Sequence, residues 1–180
     1  LQNGELEKVP ALLSQASRVD PGGPLGKRAA ALQARLLLAA PEASDEALSR
    51  LLRDGAGASP EFRLEIGRRL AARKKNREAT DALRSLYREH PESAEAAEAE
   101  ALLNTLNAPP TWQDRIERAK RLLSVGEAMR VVEELIGGKN APSALRGEAL
   151  LLQAQAHRDL GETKAAEGVL AALLSQENLD

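Results

Sequence analysis

Two histidines and a few short polar strings are the places in this 180-residue chain whose residue types and spacing invite a chemical reading. Gly22-Gly23-Pro24-Leu25-Gly26-Lys27 has the flavour of a phosphate-cradling loop. Such a loop needs four residues between its first Gly and its Gly-Lys, a following Ser or Thr, and a strand before it. Here the gap is three, Arg28 follows, and no strand pattern precedes, so the string reads as a loop between helices. His157-Arg158-Asp159-Leu160 spells the opening of a kinase catalytic loop. Position 164, where a metal-binding Asn belongs, is Lys164, and no Gly-rich loop or Asp-Phe-Gly accompanies it. The string reads as a helix end running into Gly161. His90, next to Pro91, reads as a basic group at a helix C-terminus, where the dipole favours it. There is no Cys, and the two His have no His-x-x-x-His spacing. No metal site, no cofactor and no catalytic residue are expected.

Charge excludes further classes. Arg68, Arg69, Arg73, Lys74, Lys75 and Arg77 form the densest basic run, but no aromatic interleaves it and the net charge is −2. Single-strand binders use stacking rings, so no nucleic-acid partner is expected. Glu92, Glu95, Glu98 and Glu100 follow Pro91. Carboxylates near a helix start favour capping and solubility, and no apolar pocket is evident to raise one pKa against another. No stretch approaches the roughly 18 apolar residues of a membrane span. The chain begins at Leu1 rather than Met, so it is expected to be part of a longer protein.

The elements that must position any site are helical. Aromatics make up only 2% of residues while hydrophobic residues reach 43%, so the core must be built from Ala and Leu, which are strong helix formers. Apolar residues recur at helical steps, as at Ala29, Leu32 and Leu36, and no useful strand alternation competes. Breakers divide the chain into helices over 5–19, 24–39, 44–53, 60–73, 77–89, 93–106, 112–124, 127–137, 143–159 and 163–175. Ser59, Ser93 and Thr111 are the predicted N-caps, with Asp114 completing a capping-box variant at Thr111. Pro60 suits a first helical position. Gly137-Gly138 and Pro109-Pro110 stop their helices.

A repeat underlies this pattern. Val9, Ala47, Ala79, Val131 and Ala166 recur with spacings of 38, 32, 52 and 35 residues, three of which scatter around the 34 residues or so of a tetratricopeptide repeat. Gly4-Glu5, Gly126-Glu127 and Gly161-Glu162 stand at one place before Val9, Val131 and Ala166. Pro21 and Pro91 each lie twelve residues after Val9 and Ala79. The long spacing contains Pro109-Pro110 and reads as an insertion or extra helix, with Trp112 as a plug that seals it.

At these residues the chain resembles the tetratricopeptide family. In the unit from Pro60 to Glu92, Ile66-Gly67 stands for the family's Leu-Gly, Ala79 for its packing Ala, Leu83 for its Phe and Pro91 for its closing Pro. Arg63 and Leu70 replace the usual Trp and Tyr. The final unit matches at Ala154, Gly161, Ala166 and Leu170, with His157 at a Tyr position. The resemblance implies an all-α fold, an α-solenoid of about five antiparallel helical hairpins stacked as a right-handed superhelix, forming one domain over 1–180. Gly67, Ala79, Ala119, Val131, Ala154 and Ala166 are the expected repeat-packing residues. A solenoid of this kind binds partners along the face lined by its first helices, which nominates Arg63, Arg69, Arg115, Arg118, Gln153 and His157.

Tyr87-Arg88-Glu89-His90-Pro91-Glu92-Ser93-Ala94-Glu95-Ala96-Ala97, the run Arg115 to Leu123 and Gly126-Glu127-Ala128 are similar to the superhelical region of bacterial soluble lytic murein transglycosylases. The catalytic signature of that family, Glu-Ser followed by Gly-Leu-Met-Gln, is absent apart from the dipeptide Glu92-Ser93. The resemblance implies a non-catalytic scaffold or protein-binding module in the periplasm or cell envelope. Its partner would be a protein or peptide, a catalytic domain of the same polypeptide, or peptidoglycan. A stand-alone adaptor for envelope assembly, motility or a cytoplasmic complex is the alternative.

Overall fold

A computed structural model describes residues 9–20, 23–40, 43–53 and 59–177, without the side chains of residues 9, 10, 17, 53, 176 and 177. Gly4-Glu5, Pro21, Gly22 and the expected start of the first helix at 5 lie outside the described residues. The described chain is all-α: α1 (Val9–Val19), α2 (Pro24–Ala39), α3 (Asp45–Arg53), α4 (Pro60–Ala72), α5 (Asn76–Glu89), α6 (Ala94–Thr105), α7 (Trp112–Ser124), α8 (Ala128–Glu134), a 3-10 turn (Gly138–Asn140), α9 (Ser143–Asp159) and α10 (Thr163–Glu177). It is a helical-repeat fold in which neighbouring helices pack on one another. No described helix is long and apolar enough to cross a membrane.

The helix starts have the predicted chemistry. The Ser59, Ser93 and Thr111 hydroxyls accept from the N–H groups of Phe62, Ala96 and Asp114. At Thr111 the box closes, because Asp114 Oδ2 accepts from the Thr111 N–H at 2.8 Å. These bonds satisfy donors that a helix N-terminus leaves unpaired.

The helix ends explain the repeat spacing. Four of them close with one hydrogen-bond pattern around a residue in the left-handed region: Lys74, Asn107, Gly126 and Gly161. In each, the left-handed residue donates to a carbonyl three residues back, and its successor to one five back. At Gly126 these are Gly126 N–H to Leu123 O at 3.0 Å and Glu127 N–H to Leu122 O at 2.9 Å. This is the Schellman closure, which satisfies orphan carbonyls and reverses the chain. The recurring Ala79, Val131 and Ala166 each lie five residues past such a turn, at Lys74, Gly126 and Gly161 respectively. They are buried where the returning helix meets its partner. The position five residues past Asn107 is Trp112, which opens α7 after the proline pair.

Contacts group the chain into two units, Leu1–Leu83 and Arg84–Asp180, with the division inside α5. In the first unit α2 packs on α1, α3 and α4. Gly67 of α4 is buried, and a Cβ there would lie 2.6 Å from Leu83 Cδ2. Only a residue without a side chain permits that approach. In the second unit α9 packs on α7, α8 and α10. A core of Ile116, Ala119, Leu122, Val131, Leu135, Ala149 and Ala156 fills the centre. The half-buried Trp112 ring packs against this core, with the Arg115 guanidinium 5.6 Å from its centroid.

One helix is shorter than predicted. The helix over 127–137 is observed as Ala128–Glu134, because Gly137 takes φ +76° and the chain turns into the 3-10 segment at Gly138.

Candidate functional site

In α7, Arg115, Arg118 and Leu122 fall three and four residues apart, which places them on one helix face. Thr111 and Asp114 fix where this helix begins. Asp114 is buried and also faces Arg84 Nε and Arg88 Nη1, each at 3.5 Å. Arg115, Arg118 and Leu122 line a cleft of about 320 Å³ with Glu100 of α6 and Arg130, Glu133 and Glu134 of α8.

The inner wall is a closed polar network. Arg118 is only 7% exposed. Its Nη1 donates to Tyr87 O at 3.2 Å and its Nη2 to Pro91 O at 3.3 Å. These carbonyls belong to the last turn of α5 and the loop after it, so the guanidinium closes a helix end from the side. Its Nε lies 3.0 Å from Glu134 Oε2 as an ion pair. The guanidinium carbon stands 4.3 Å from the centroid of the Tyr87 ring, a cation–π distance. Tyr87 is itself fully buried, and its hydroxyl donates to Glu134 Oε1. Arg130 Nη2 donates to the same Pro91 carbonyl at 2.5 Å.

Burial sets the protonation behaviour of this network. The Tyr87 phenol is pushed far above its ordinary value, by desolvation first and then by the Glu134 carboxylate. Glu134 is also raised, chiefly by burial. The Tyr87 hydrogen bond and the Arg118 charge act against that rise without cancelling it. The raised phenol stays neutral as the donor to Glu134, and has no acid–base role near neutrality.

The outer part of the cleft differs. Among the described residues, Glu100, Arg115 and Glu133 enter no hydrogen bond or ion pair. Arg130 uses only Nη2. Two cations and two anions on three helices therefore face the cleft without a partner for most of their hydrogen-bonding capacity. A second cavity, an apolar groove of about 500 Å³ in the first unit, runs between α1 and α2 and is lined by Leu12, Val19, Leu25 and Leu32.

Of the six residues nominated as a binding face, only Arg115 and Arg118 come together, and Arg118 is not a surface group. Its burial is a correction, forced by the two carbonyls and the carboxylate it satisfies. Arg63 and Arg69 lie on α4 of the first unit. Arg69 is half-buried and donates through Nη2 to Leu38 O at 2.5 Å and through Nη1 to Ala40 O at 3.3 Å. His157 Nδ1 sits 2.7 Å from Glu162 Oε2 across the Gly161 turn. Gln153 lies beside Gly138, and its Oε1 is 3.5 Å from where a Cβ would stand.

Glu100, Arg130, Glu133 and Glu134 were missed. Of the carboxylates after Pro91, only Glu95 falls in the first turn of α6, and Glu100 lines the cleft instead. The i, i+3 spacing of Arg130 and Glu133 was the available signal for a shared face on α8. Among the described residues no group of three His, Asp or Glu is placed to hold a metal ion. The chain matches no protein-family model and no curated protein.

Proposed function

We propose that this chain is a non-catalytic helical-repeat module that binds a partner in the cleft between α6, α7 and α8. The observation that carries this reading is the set of charges in that cleft with hydrogen-bonding capacity to spare, beside the buried Arg118–Glu134 pair. Charges of both signs gathered on three packed helices support recognition of a ligand. The tetratricopeptide resemblance supports the same reading, since helical repeats present side chains on shared faces.

Within this reading, the module is the superhelical part of a peptidoglycan-cleaving envelope enzyme and belongs to a longer protein. What supports this is that the resemblance to lytic transglycosylases falls on Tyr87, Arg115 and Arg118, residues that build the cleft and its wall. The alternative is a stand-alone adaptor. The full-length reading frame separates the two: a secretion signal upstream and a transglycosylase domain downstream are expected, and a cytoplasmic protein with further repeats would overturn the first.

The binding reading is tested with a peptide array probed by the purified chain. Arg115→Gln is expected to lose the peptides that wild type retains. Retention of all of them would place binding elsewhere. Release of anhydro-sugars from purified peptidoglycan by the chain alone would overturn the non-catalytic part.

A further inference from the structure

The cleft is sorted by sign as well as by engagement. Arg118 and Glu134 neutralise each other inside it. What faces outward is then balanced: the guanidinia of Arg115 and Arg130 against the carboxylates of Glu100 and Glu133. Glu100 and Arg115 lie near enough to Glu134 to act on its carboxyl in opposite directions, so both signs converge on one small volume. Among the described residues that line it, Leu122 alone is apolar. At about 320 Å³ the cleft stands at the small end of ligand-sized cavities. It suits a few side chains of a peptide, and its one apolar residue, the buried Leu122, offers little to anchor on.

From this balance we infer that the ligand is a peptide segment of mixed charge, carrying one basic and one acidic side chain that both enter the cleft. The basic group meets Glu100 and Glu133, and the acidic group meets Arg115 and Arg130. A purely acidic segment would bring carboxylates against Glu100 and Glu133. A purely basic one would bring ammonium groups against Arg115 and Arg130. Like charges placed together at an interface are what exclude wrong partners. A segment with both signs meets attraction at each end and leaves no cleft charge opposed. This ligand class rests on the binding reading above and adds to it a selection rule.

The test is a calorimetric titration of the purified chain with three terminally blocked peptides of equal length: one with a Lys and a Glu, one with two Lys, one with two Glu. Blocked ends ensure that only side chains carry charge. The mixed peptide is expected to bind wild type most tightly. Neutralising the anions in Glu100→Gln/Glu133→Gln is expected to weaken it about tenfold and to make the two-Glu peptide the preferred ligand. Neutralising the cations in Arg115→Gln/Arg130→Gln is expected to shift preference to the two-Lys peptide. Unchanged unfolding midpoints check that the variants fold. A wild type that prefers the two-Glu peptide would overturn the inference in favour of an anion site. Mixed-peptide affinity unaltered in both double variants would also overturn it, while leaving intact the reading that the chain binds peptides. Failure of every peptide to bind, together with a blank array, would remove both.

Discussion

The α4 region of the first unit and the α7–α8 region of the second use arginine for one purpose with different thoroughness. In the first, Arg69 and Arg73 reach back about thirty residues to the carbonyls of Leu38, Ala40 and Ala43, at the end of α2 and just after it. In the second, Arg118 and Arg130 reach back a similar distance to the carbonyls of Tyr87 and Pro91, around the end of α5. Both regions thus supply, from a later helix, donors for carbonyls that an earlier helix end leaves open. The difference lies in closure. Arg69 and Arg73 are balanced by the half-exposed Glu65 and Asp45, so water shares their load. Arg118 is sealed with Glu134 at side-chain exposures of 8% and 11%. Around that sealed pair, Arg115, Glu100 and Glu133 enter no hydrogen bond or ion pair among the described residues, and Arg115 contacts only the Trp112 ring. The comparison teaches that arginines of similar sequence spacing divide between holding helix ends and facing an open cleft, and that burial decides which.

The largest expected effect breaks the comparison at its buried end. Arg118→Ala takes the buried cation from Glu134 and its donor from the Tyr87 carbonyl, leaving Pro91 O to Arg130 alone, and should cost about 3–5 kcal/mol. Arg69→Ala exposes its carbonyls to water and should cost about 1–2 kcal/mol. Urea unfolding of both variants measures this, and equal losses would erase the distinction between the two regions. Next in size is Gly67→Leu, expected to cost about 1–3 kcal/mol by overpacking against Leu83, whose Cδ2 is 2.6 Å from the added Cβ. A neutral result there would remove the close crossing of α4 and α5.

A smaller effect has the opposite sign. Lys74 holds φ +60° at a turn where two of the other three left-handed positions are Gly. Lys74→Gly relieves a strain of about 1 kcal/mol, partly offset by the entropy glycine loses on folding, so a slight rise in melting temperature is expected. A clear fall would mean that the Lys74 side chain contributes more than its backbone costs.

The smallest effect is a pH slope. The native carboxyl of Glu134 is raised above its ordinary value of 4.5, so the native state holds this proton more readily than the unfolded chain. The stability linked to it is fully present below the ordinary value and is lost as pH rises through the raised native one. The difference in unfolding free energy between wild type and Glu134→Gln should therefore shift against wild type as pH rises through the mildly acidic range. A shift in its favour would reverse the sign assigned to burial.

Much of this was legible in the sequence, for local reasons. Ser59, Ser93 and Thr111 cap through bonds to residues three positions on, and a capping signal is contained in four residues. The recurring Ala79, Val131 and Ala166 were visible because one turn geometry sets their register. The Lys74 turn was not legible as left-handed, since Lys carries no conformational signal comparable to Gly. The wall of the cleft was hidden for a different reason. Tyr87 and Glu134 are 47 residues apart, and nothing local in either helix announces the other. Arg118 was placed on the surface because a charged residue on an amphipathic helix usually is. Only the carbonyls of a helix end brought against it reverse that expectation.

The central claim is that Glu100, Arg115 and Glu133 face a ligand rather than hold the fold, and urea unfolding of the triple variant Glu100→Gln/Arg115→Gln/Glu133→Gln tests it most directly. Losing the Arg115 contact with Trp112 costs about 0.5–1 kcal/mol and the two Glu substitutions lie near neutral, so the account predicts an unfolding free energy within about 1 kcal/mol of wild type. A loss of about 2 kcal/mol or more, comparable to breaking Arg69 from its carbonyls, would show that these charges are structural and would contradict the account.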